Sequence, residues 1–224
     1  FMKGGAKAVE PFVKKFQDTA MRVKYAQVPV VAAVAGLALG GGCETLMHCA
    51  HRVAHLESYI GLVELGVGLV PAGGGLKEAA LRASNAAATY GYSNLTEFVK
   101  PWFQNVAMAN VAKSARDAQS IGYLLPTDTI VFNIHELLHV AKSQARALAS
   151  AGYRAPLAAA NITAAGPSVQ ATLQSMIVNM RDGGYISQYD GELATRVASI
   201  LSAGGVDACT MVDEAWLLKL ELDN

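Results

Sequence analysis

The chain has 224 residues, of which 52% are hydrophobic and 16% charged, and its formal net charge is +0. A chain of this size can bury a substantial core as one domain, or as one domain with a helical appendage, and it is neither disordered nor fibrous. No run of Lys or Arg exceeds two residues. The chain therefore lacks the clustered positive charge that is typical of nucleic-acid-binding proteins.

The longest apolar stretch, residues 28–39, is too short and too rich in Gly and Ala to span a bilayer, and no signal peptide precedes it. The three cysteines are Cys43, Cys49 and Cys209, an odd number without CxxC spacing. They fit a reduced compartment better than a disulfide framework. We therefore expect a cytoplasmic protein without a membrane span.

The first third of the chain alternates between helix and strand patterns. Apolar residues spaced by three and four predict an amphipathic helix, and a continuous Val-rich run predicts a strand buried on both faces. A later helix opens on a glycine loop, which would leave its N-terminal amides without intrahelical partners. These elements are a helix over 5–26, a strand over 27–34, a helix over 43–50, a strand over 51–56, a short strand passing into glycine loops over 58–75, and a helix over 74–84.

From residue 94 onward the pattern is mostly helical, and we expect the β content to be concentrated before residue 75. Pro101 falls inside one helical segment, which predicts two helices or one kinked helix. Ser114 and Gly122 have the residue types of a helix cap and a helix stop. Further helices are predicted over 133–149, 168–180, 191–201 and 212–220.

The segment "LGGGCE" combines two features with chemical meaning. Its glycines remove side chains where a strand turns into a helix, so the Gly41 N–H can point into open space, as half of an oxyanion hole does. Glu44 follows on the first helical turn among apolar neighbours, where a carboxylate can serve as general acid or base. Tight packing and the helix dipole alone would also explain these residues.

A second carboxylate, Glu64, lies twenty residues later in another apolar segment flanked by glycines. Two carboxylates on separate elements can divide acid and base work on one bound substrate. The pair therefore indicates a candidate active site.

The segment from residue 27 to 82 resembles the core signature of the crotonase family, the enoyl-CoA hydratases and isomerases. The matching features, in order, are the buried strand, Gly-Gly-Gly-Cys-Glu, the second Glu, and a Pro followed by a glycine loop. The resemblance implies that Gly41 supplies an N–H to the thioester oxygen and that Glu44 and Glu64 flank a water molecule. It also implies that Gly40, Ala72 and Gly73 lie in the loops that hold substrate and water.

Two departures from the family pattern bear on the reaction. The loop after Pro71 begins with Ala72, where hydratases usually have Gly, and Leu62 and Val63 replace a common Gln-Pro pair. The added methyl group and the lost polar contact affect how water is held. Isomerisation by a single glutamate therefore stays open beside hydration.

The resemblance implies a fold of the α/β class, a crotonase-like (ClpP/crotonase) spiral core with a helical C-terminal region. We expect the core to cover residues 1–126 and the helical region 127–224. We also expect the family's first strands, with the second oxyanion N–H, to lie ahead of Phe1.

Later segments are similar to one branch of the family, in which a crotonase region follows an NAD-dependent 3-hydroxyacyl-CoA dehydrogenase region in one β-oxidation polypeptide. These segments are "SIGYLLPTDTIVFN", "RDGGYIS" and "VDEAWLL". The resemblance implies an acyl-CoA substrate, no cofactor in this chain, NAD bound only by an upstream region, and an oligomer or packing on the dehydrogenase. The alternative, from a different functional class, is that the chain is a catalytically weak scaffold attached to that dehydrogenase.

Three other patterns bear on whether the chain has a different site or cofactor. His135, Glu136 and His139 form a literal HExxH, but His135 and His139 share a basic helical stripe with Lys142 and Arg146, and no third zinc ligand follows downstream. We therefore predict a solvated helix face over a buried stripe of Ile134, Leu137, Leu138 and Ala141. No GxGxxG is present, and we predict no metal. Three aromatic residues could line an acyl tunnel, although core packing fits their helical spacing better: Phe98, Trp102 and Phe103.

Overall fold

The computed structural model describes residues 6–224. Two short 3-10 helices, Glu64–Val67 and Ile134–Glu136, accompany the longer elements. In chain order these elements are α1 (Ala6–Lys24), β1 (Val31–Leu39), α2 (Gly41–Met47), β2 (His51–Gly61), α3 (Gly75–Thr89), α4 (Thr96–Ala107), α5 (Ala115–Ser120), β3 (Thr129–Val131), α6 (Leu137–Ser150), β4 (Ile162–Thr163), α7 (Gly166–Asp182), α8 (Gln188–Leu201), β5 (Met211–Val212) and α9 (Glu214–Asp223).

The elements form two compact units that interleave along the chain. The first unit combines residues up to 62 with residues 111–157, and the second combines residues 63–110 with residues 158–224. These units reflect packing, whereas the predicted boundary at residue 126 separates family regions. That boundary stays a prediction.

The first unit contains a parallel sheet in the order β1-β2-β3. The β1–β2 register shifts between Val34 and Gly36, where β2 carries extra residues. The Ser58 hydroxyl lies 2.7 Å from the His55 carbonyl oxygen and 3.2 Å from that of Val34, so its one hydrogen can be donated to either acceptor at this irregularity. Helix α6 covers one face of the sheet with Leu137 and Ala141.

The prediction that the Val-rich strand is buried on both faces is wrong. Strand β1 runs from residue 31 to 39, and its side chains alternate between the two faces, with Val34 buried and Leu37 75% exposed. Within the part of the chain that the structure describes, β1 lies at the edge of its sheet. A strand in that position needs apolar side chains on only one face.

The expectation that β structure is concentrated before residue 75 is confirmed by the long strands β1 and β2, and three short strands follow later in the chain. Strand β3 pairs in parallel with β2, and β4 pairs antiparallel with β5. Asp128, directly before β3, accepts hydrogen bonds from Arg52 Nε at 2.7 Å and from the Arg52 amide at 3.1 Å. This buried ion pair fixes the position of β3. With three residues, β3 is too short to show a periodic pattern in the sequence.

His51 lies beside this pair and makes the first unit sensitive to pH. Burial lowers the pKa of its imidazole from the ordinary value, Asp128 acts in the opposite direction, and Arg52 adds to the lowering. Its side chain is 12% exposed, and its Nε2 lies 3.1 Å from the Thr129 hydroxyl.

We therefore expect the free energy of unfolding to fall as the pH drops below about 6.5. In that range His51 is protonated in the unfolded chain but still neutral in the folded chain, because its pKa is lower in the folded state. The loss continues until the pH passes the lowered pKa of the folded state. Urea denaturation of wild type and His51→Gln between pH 7 and pH 5 measures this slope. Equal slopes in the two proteins would refute the assignment to His51.

The second unit is mainly helical. Its core contains side chains from α3, α4, α7, α8 and α9 that are fully or almost fully buried: Leu76, Phe103, Leu173, Val197, Ile200 and Leu217. The Thr163 amide donates to the Ser84 hydroxyl at 2.9 Å, which ties β4 to α3.

The predicted helices of the later part of the chain are confirmed, with ends shifted by a few residues. Helix α4 continues through Pro101 as one helix. The Ser114 hydroxyl accepts from the Asp117 amide and caps α5, and Gly122 has the positive φ of 95° that a helix stop requires. Among the described helices, none combines the length and the apolar run that crossing a bilayer requires.

Candidate functional site

The glycine segment forms a tight turn between β1 and α2. Gly40 has φ 54° and ψ −124°, a backbone conformation that side chains other than that of glycine disfavour. Its amide donates to the Gly61 carbonyl at 2.9 Å, and its carbonyl accepts from the Glu44 amide at 2.9 Å. The turn is therefore tied both to β2 and to the first turn of α2.

Gly41 begins α2, so its N–H belongs to the amides that have no partner within the helix. A Cβ atom at this position would lie 3.3 Å from Cζ of the Phe16 ring on α1. The Phe16 ring therefore leaves too little space for a side chain at Gly41. An approaching ligand would meet backbone at Gly41, as an oxyanion-hole donor requires.

We expect Gly40→Ala to lower the free energy of unfolding by about 1–3 kcal/mol, because alanine would hold a strained backbone conformation there. Gly42→Ala is the matched control, since a Cβ at Gly42 meets nothing within 4 Å and lies inside the helix. Urea denaturation of both variants makes the comparison. A Gly40→Ala protein as stable as Gly42→Ala would show that the turn carries no such strain.

Glu44 lies on the first turn of α2 and is 3% exposed. The neighbouring side chains of Cys43, Leu46 and Met47 are buried as well. The predicted apolar setting of this carboxylate is therefore observed.

Glu64 opens the 3-10 helix of the second unit, and its Oε2 atom is buried. Its carbonyl accepts from the Leu69 amide at 3.0 Å. Gly68 has φ 78° and ends the helix in the left-handed conformation. Of the glycines predicted to flank this glutamate, Gly68 thus ends the short helix that Glu64 begins.

Ala72 and Gly73 follow in the same unit, directly before α3. Gly73 is buried, and Ala72 is partly exposed. The structure thus groups the predicted site residues in two sets. Gly40, Gly41 and Glu44 share one turn of the first unit, and Glu64, Ala72 and Gly73 lie in the second.

The first amides of α3 have an acceptor from another helix, which agrees with the prediction that they lack partners within their own helix. The carboxylate of Glu221, on α9, accepts from the Gly74 amide and from the Lys77 amide, each at 2.6 Å. A helix N-terminus attracts anions, and here a side chain of the same unit supplies one. Glu221 was missed because it lies 147 positions after Gly74 in the chain.

The HExxH segment is divided between two elements. His135 and Glu136 lie in a 3-10 helix, and His139 lies in α6, which begins at Leu137. Within residues 6–224, no group of three potential metal ligands is found. The predicted buried stripe is half wrong, since Leu137 and Ala141 are buried, whereas Ile134 and Leu138 are exposed.

The three aromatic residues of α4 have different surroundings. Trp102 and Phe103 are buried, as core packing predicts. Phe98 is partly exposed, and its ring centroid lies 5.7 Å from that of Tyr92 and 6.4 Å from that of Tyr90. The group therefore does not form one lining.

Comparison with solved structures identifies the class of fold. The chain is similar to an enoyl-CoA hydratase from a Polaromonas species, with a TM-score of 0.52 and 17% identity over 89% of this chain and 63% of that chain. The predicted α/β fold of the crotonase class, with a helical C-terminal region, is therefore confirmed.

Comparison of sequences confirms the predicted resemblance. The model of the enoyl-CoA hydratase/isomerase family, also called the crotonase family, matches residues 2–94 of this chain. A Bacillus subtilis protein named as a probable 3-hydroxyacyl-CoA dehydrogenase is 38% identical over 213 residues, which are 95% of this chain and 26% of that protein.

A shorter match links the chain to a second protein of fatty-acid oxidation. The fatty acid oxidation complex subunit alpha of Colwellia psychrerythraea is 41% identical over 58 residues, which are 26% of this chain and 8% of that subunit. The chain therefore spans about a quarter or less of the length of these relatives.

Proposed function

We propose that this chain is the region of a fatty-acid β-oxidation enzyme that hydrates 2-enoyl-CoA to 3-hydroxyacyl-CoA. The observation that carries the proposal is the turn in which the Gly41 amide, at a helix start, lies three residues before the buried carboxylate of Glu44. A second carboxylate, Glu64, lies in a glycine-flanked loop of the other unit. The match to the model of the crotonase family supports the same reaction class.

In this proposal Glu44 and Glu64 hold one water molecule. One carboxylate takes a proton as the water oxygen adds to C3 of the enoyl thioester, and a proton is delivered to C2. Division of this work between two carboxylates is an established way to run acid and base chemistry in one site.

The Gly41 N–H would receive the negative charge that develops on the thioester oxygen as an enolate. A fixed amide dipole stabilises that charge without reorganising during the reaction. Removing one such donor typically costs about 10²–10³ in kcat. The backbone around Gly40, Ala72 and Gly73 would position the substrate and the water.

Isomerisation of a 3-enoyl-CoA is the second candidate reaction. Ala72 and the Leu62-Val63 pair favour it, because both reduce polar contact with a bound water. In that reaction one glutamate would move a proton along the acyl chain. A scaffold without activity is the candidate of another class.

We also propose that the chain works as part of a 3-hydroxyacyl-CoA dehydrogenase polypeptide. The name and length of the Bacillus subtilis relative support this assignment. The chain itself would use no cofactor and bind no metal, with NAD bound by the dehydrogenase region. The three free cysteines accord with a cytoplasmic setting, and packing on the dehydrogenase or an oligomer would be the expected assembly.

The test is an assay of the full-length protein with crotonyl-CoA, a 3-enoyl-CoA of matched length, and no NAD. Hydration of crotonyl-CoA supports the hydratase, and movement of the double bond without water uptake supports the isomerase. Binding of CoA thioesters without either reaction would refute the enzyme and favour the scaffold.

A further inference from the structure

Helix α9 presents an unusual buried face. Its buried side chains are Glu214, Leu217 and Glu221, so two carboxylates flank a single leucine. Trp216, the largest apolar residue of the helix, is 38% exposed. Because buried carboxylates are costly unless they are paired, α9 is held by specific polar contacts more than by apolar burial.

Glu221 makes the contact closest to the candidate site. It is 1% exposed, and both of its oxygens are used: Oε2 accepts from the Gly74 amide and Oε1 from the Lys77 amide. Gly74 is the N-cap residue of α3, with φ 105°, and has no side chain that could cap the helix. Glu221 performs that task from a residue 147 positions further along the chain.

Glu214 holds the other end of the same face. Its Oε1 lies 3.0 Å from Nζ of Lys77, and its Oε2 accepts from the Ala159 amide at 3.3 Å. Lys77 is fully buried, and its Nζ also lies 2.5 Å from Oε1 of Glu78. Glu214 therefore anchors α9 on the Lys77 side chain without touching Gly74.

The contact at the Gly74 amide matters because the residues directly before Gly74 belong to the proposed site. Gly74 is joined directly to Gly73, which follows Ala72, the backbone proposed to hold water. A shift of the reacting groups by about 1 Å can cost about 10²-fold in rate. A carboxylate that fixes the Gly74 amide thus fixes the end of this loop.

We propose that Glu221 is a positioning residue of the hydratase site, acting through the Gly74 amide on the backbone of Ala72 and Gly73. This inference rests on the proposed function. Glu221 touches no reacting atom and transfers no proton. Its carboxylate sets the geometry of the loop on which the proposed water-holding backbone lies.

The test compares Glu221→Gln with Glu214→Gln in the full-length protein. Glutamine at 221 keeps one acceptor but turns an amide N–H₂ toward a backbone N–H. We expect kcat for crotonyl-CoA to fall by about 10–100-fold with little change in KM. Glu214→Gln makes the same change on the same buried face and should leave kcat close to wild type, both assayed well below their melting temperatures.

Hydrogen exchange provides a readout that does not depend on activity. In Glu221→Gln the amides from Ala72 to Lys77 should exchange faster than in wild type, and in Glu214→Gln they should not. If Glu221→Gln does not fold, Glu221→Asp is compared with Glu214→Asp in the same way.

Wild-type kcat in Glu221→Gln, or equal losses in both variants, would overturn the inference. If the wild-type protein hydrates no enoyl-CoA, the proposed function fails, and hydrogen exchange still decides whether Glu221 fixes the loop. Unchanged exchange at Ala72 and Gly73 would then overturn the inference on its own.

Discussion

Replacing Glu64 by glutamine is expected to lower kcat for the hydration of crotonyl-CoA by about 10²–10⁴-fold, the usual contribution of a positioned acid or base. Glutamine keeps the size of the side chain but can neither accept nor release the proton. Binding of the CoA thioester should persist, because the proposed role of Glu64 is in proton transfer. Steady-state kinetics, with thioester binding measured by calorimetry, separate the two effects.

Glu97→Gln serves as the control for this variant. Glu97 lies on the first turn of α4 in the same unit and is exposed. The Glu97→Gln variant should retain wild-type kcat. Glu64→Gln with undiminished hydration would show that Glu64 has no part in the reaction, and Glu44 would then be the only carboxylate proposed to transfer protons.

Asp128→Asn is expected to lower the free energy of unfolding by about 3–5 kcal/mol, because it leaves the buried charge of Arg52 without its counter-ion. The Asp128 and Arg52 side chains are 0% and 4% exposed. Asp128 also accepts from the Leu125 amide at 2.6 Å, and asparagine cannot satisfy all of these donors. Urea denaturation at pH 7 measures the loss.

Asp182→Asn is the matched control. Asp182 pairs with Arg181 at 3.2 Å, but their side chains are 64% and 48% exposed. Exposed pairs contribute about 0–1 kcal/mol, so this variant should be almost as stable as wild type. Equal losses in the two variants would mean that the Arg52 pair does not anchor β3.

Much of the fold could be predicted from local patterns. Helix α1 shows a clear apolar periodicity, α5 has a cap residue in Ser114, and "LGGGCE" marks the turn after β1. Strand β3 could not be predicted this way, because three residues carry no periodic signal and its place depends on the distant contact between Arg52 and Asp128. Burial of β1 was predicted wrongly, since an apolar strand at a sheet edge has the same composition as one in the middle.

The candidate site was predictable in its residues and less so in its support. Glu44 and Gly41 were found because a glycine turn before a lone carboxylate is visible in sequence. Glu221 was not found, because its contact with Gly74 joins residues 147 positions apart. Glu214, on the same buried face of α9, was not found either, because its partner Lys77 is also distant in the chain.

The central claim, that Glu44 and Glu64 act on one water, is tested most directly by the rate of crotonyl-CoA hydration in wild type, Glu44→Gln, Glu64→Gln and the double variant. Residues that act as a unit give losses that do not multiply. We expect the wild-type protein to hydrate the substrate, each single variant to lose most of the rate, and the double variant to be about as slow as the slower single one. Losses that multiply, or a wild-type rate no higher than that of the double variant, would contradict the claim.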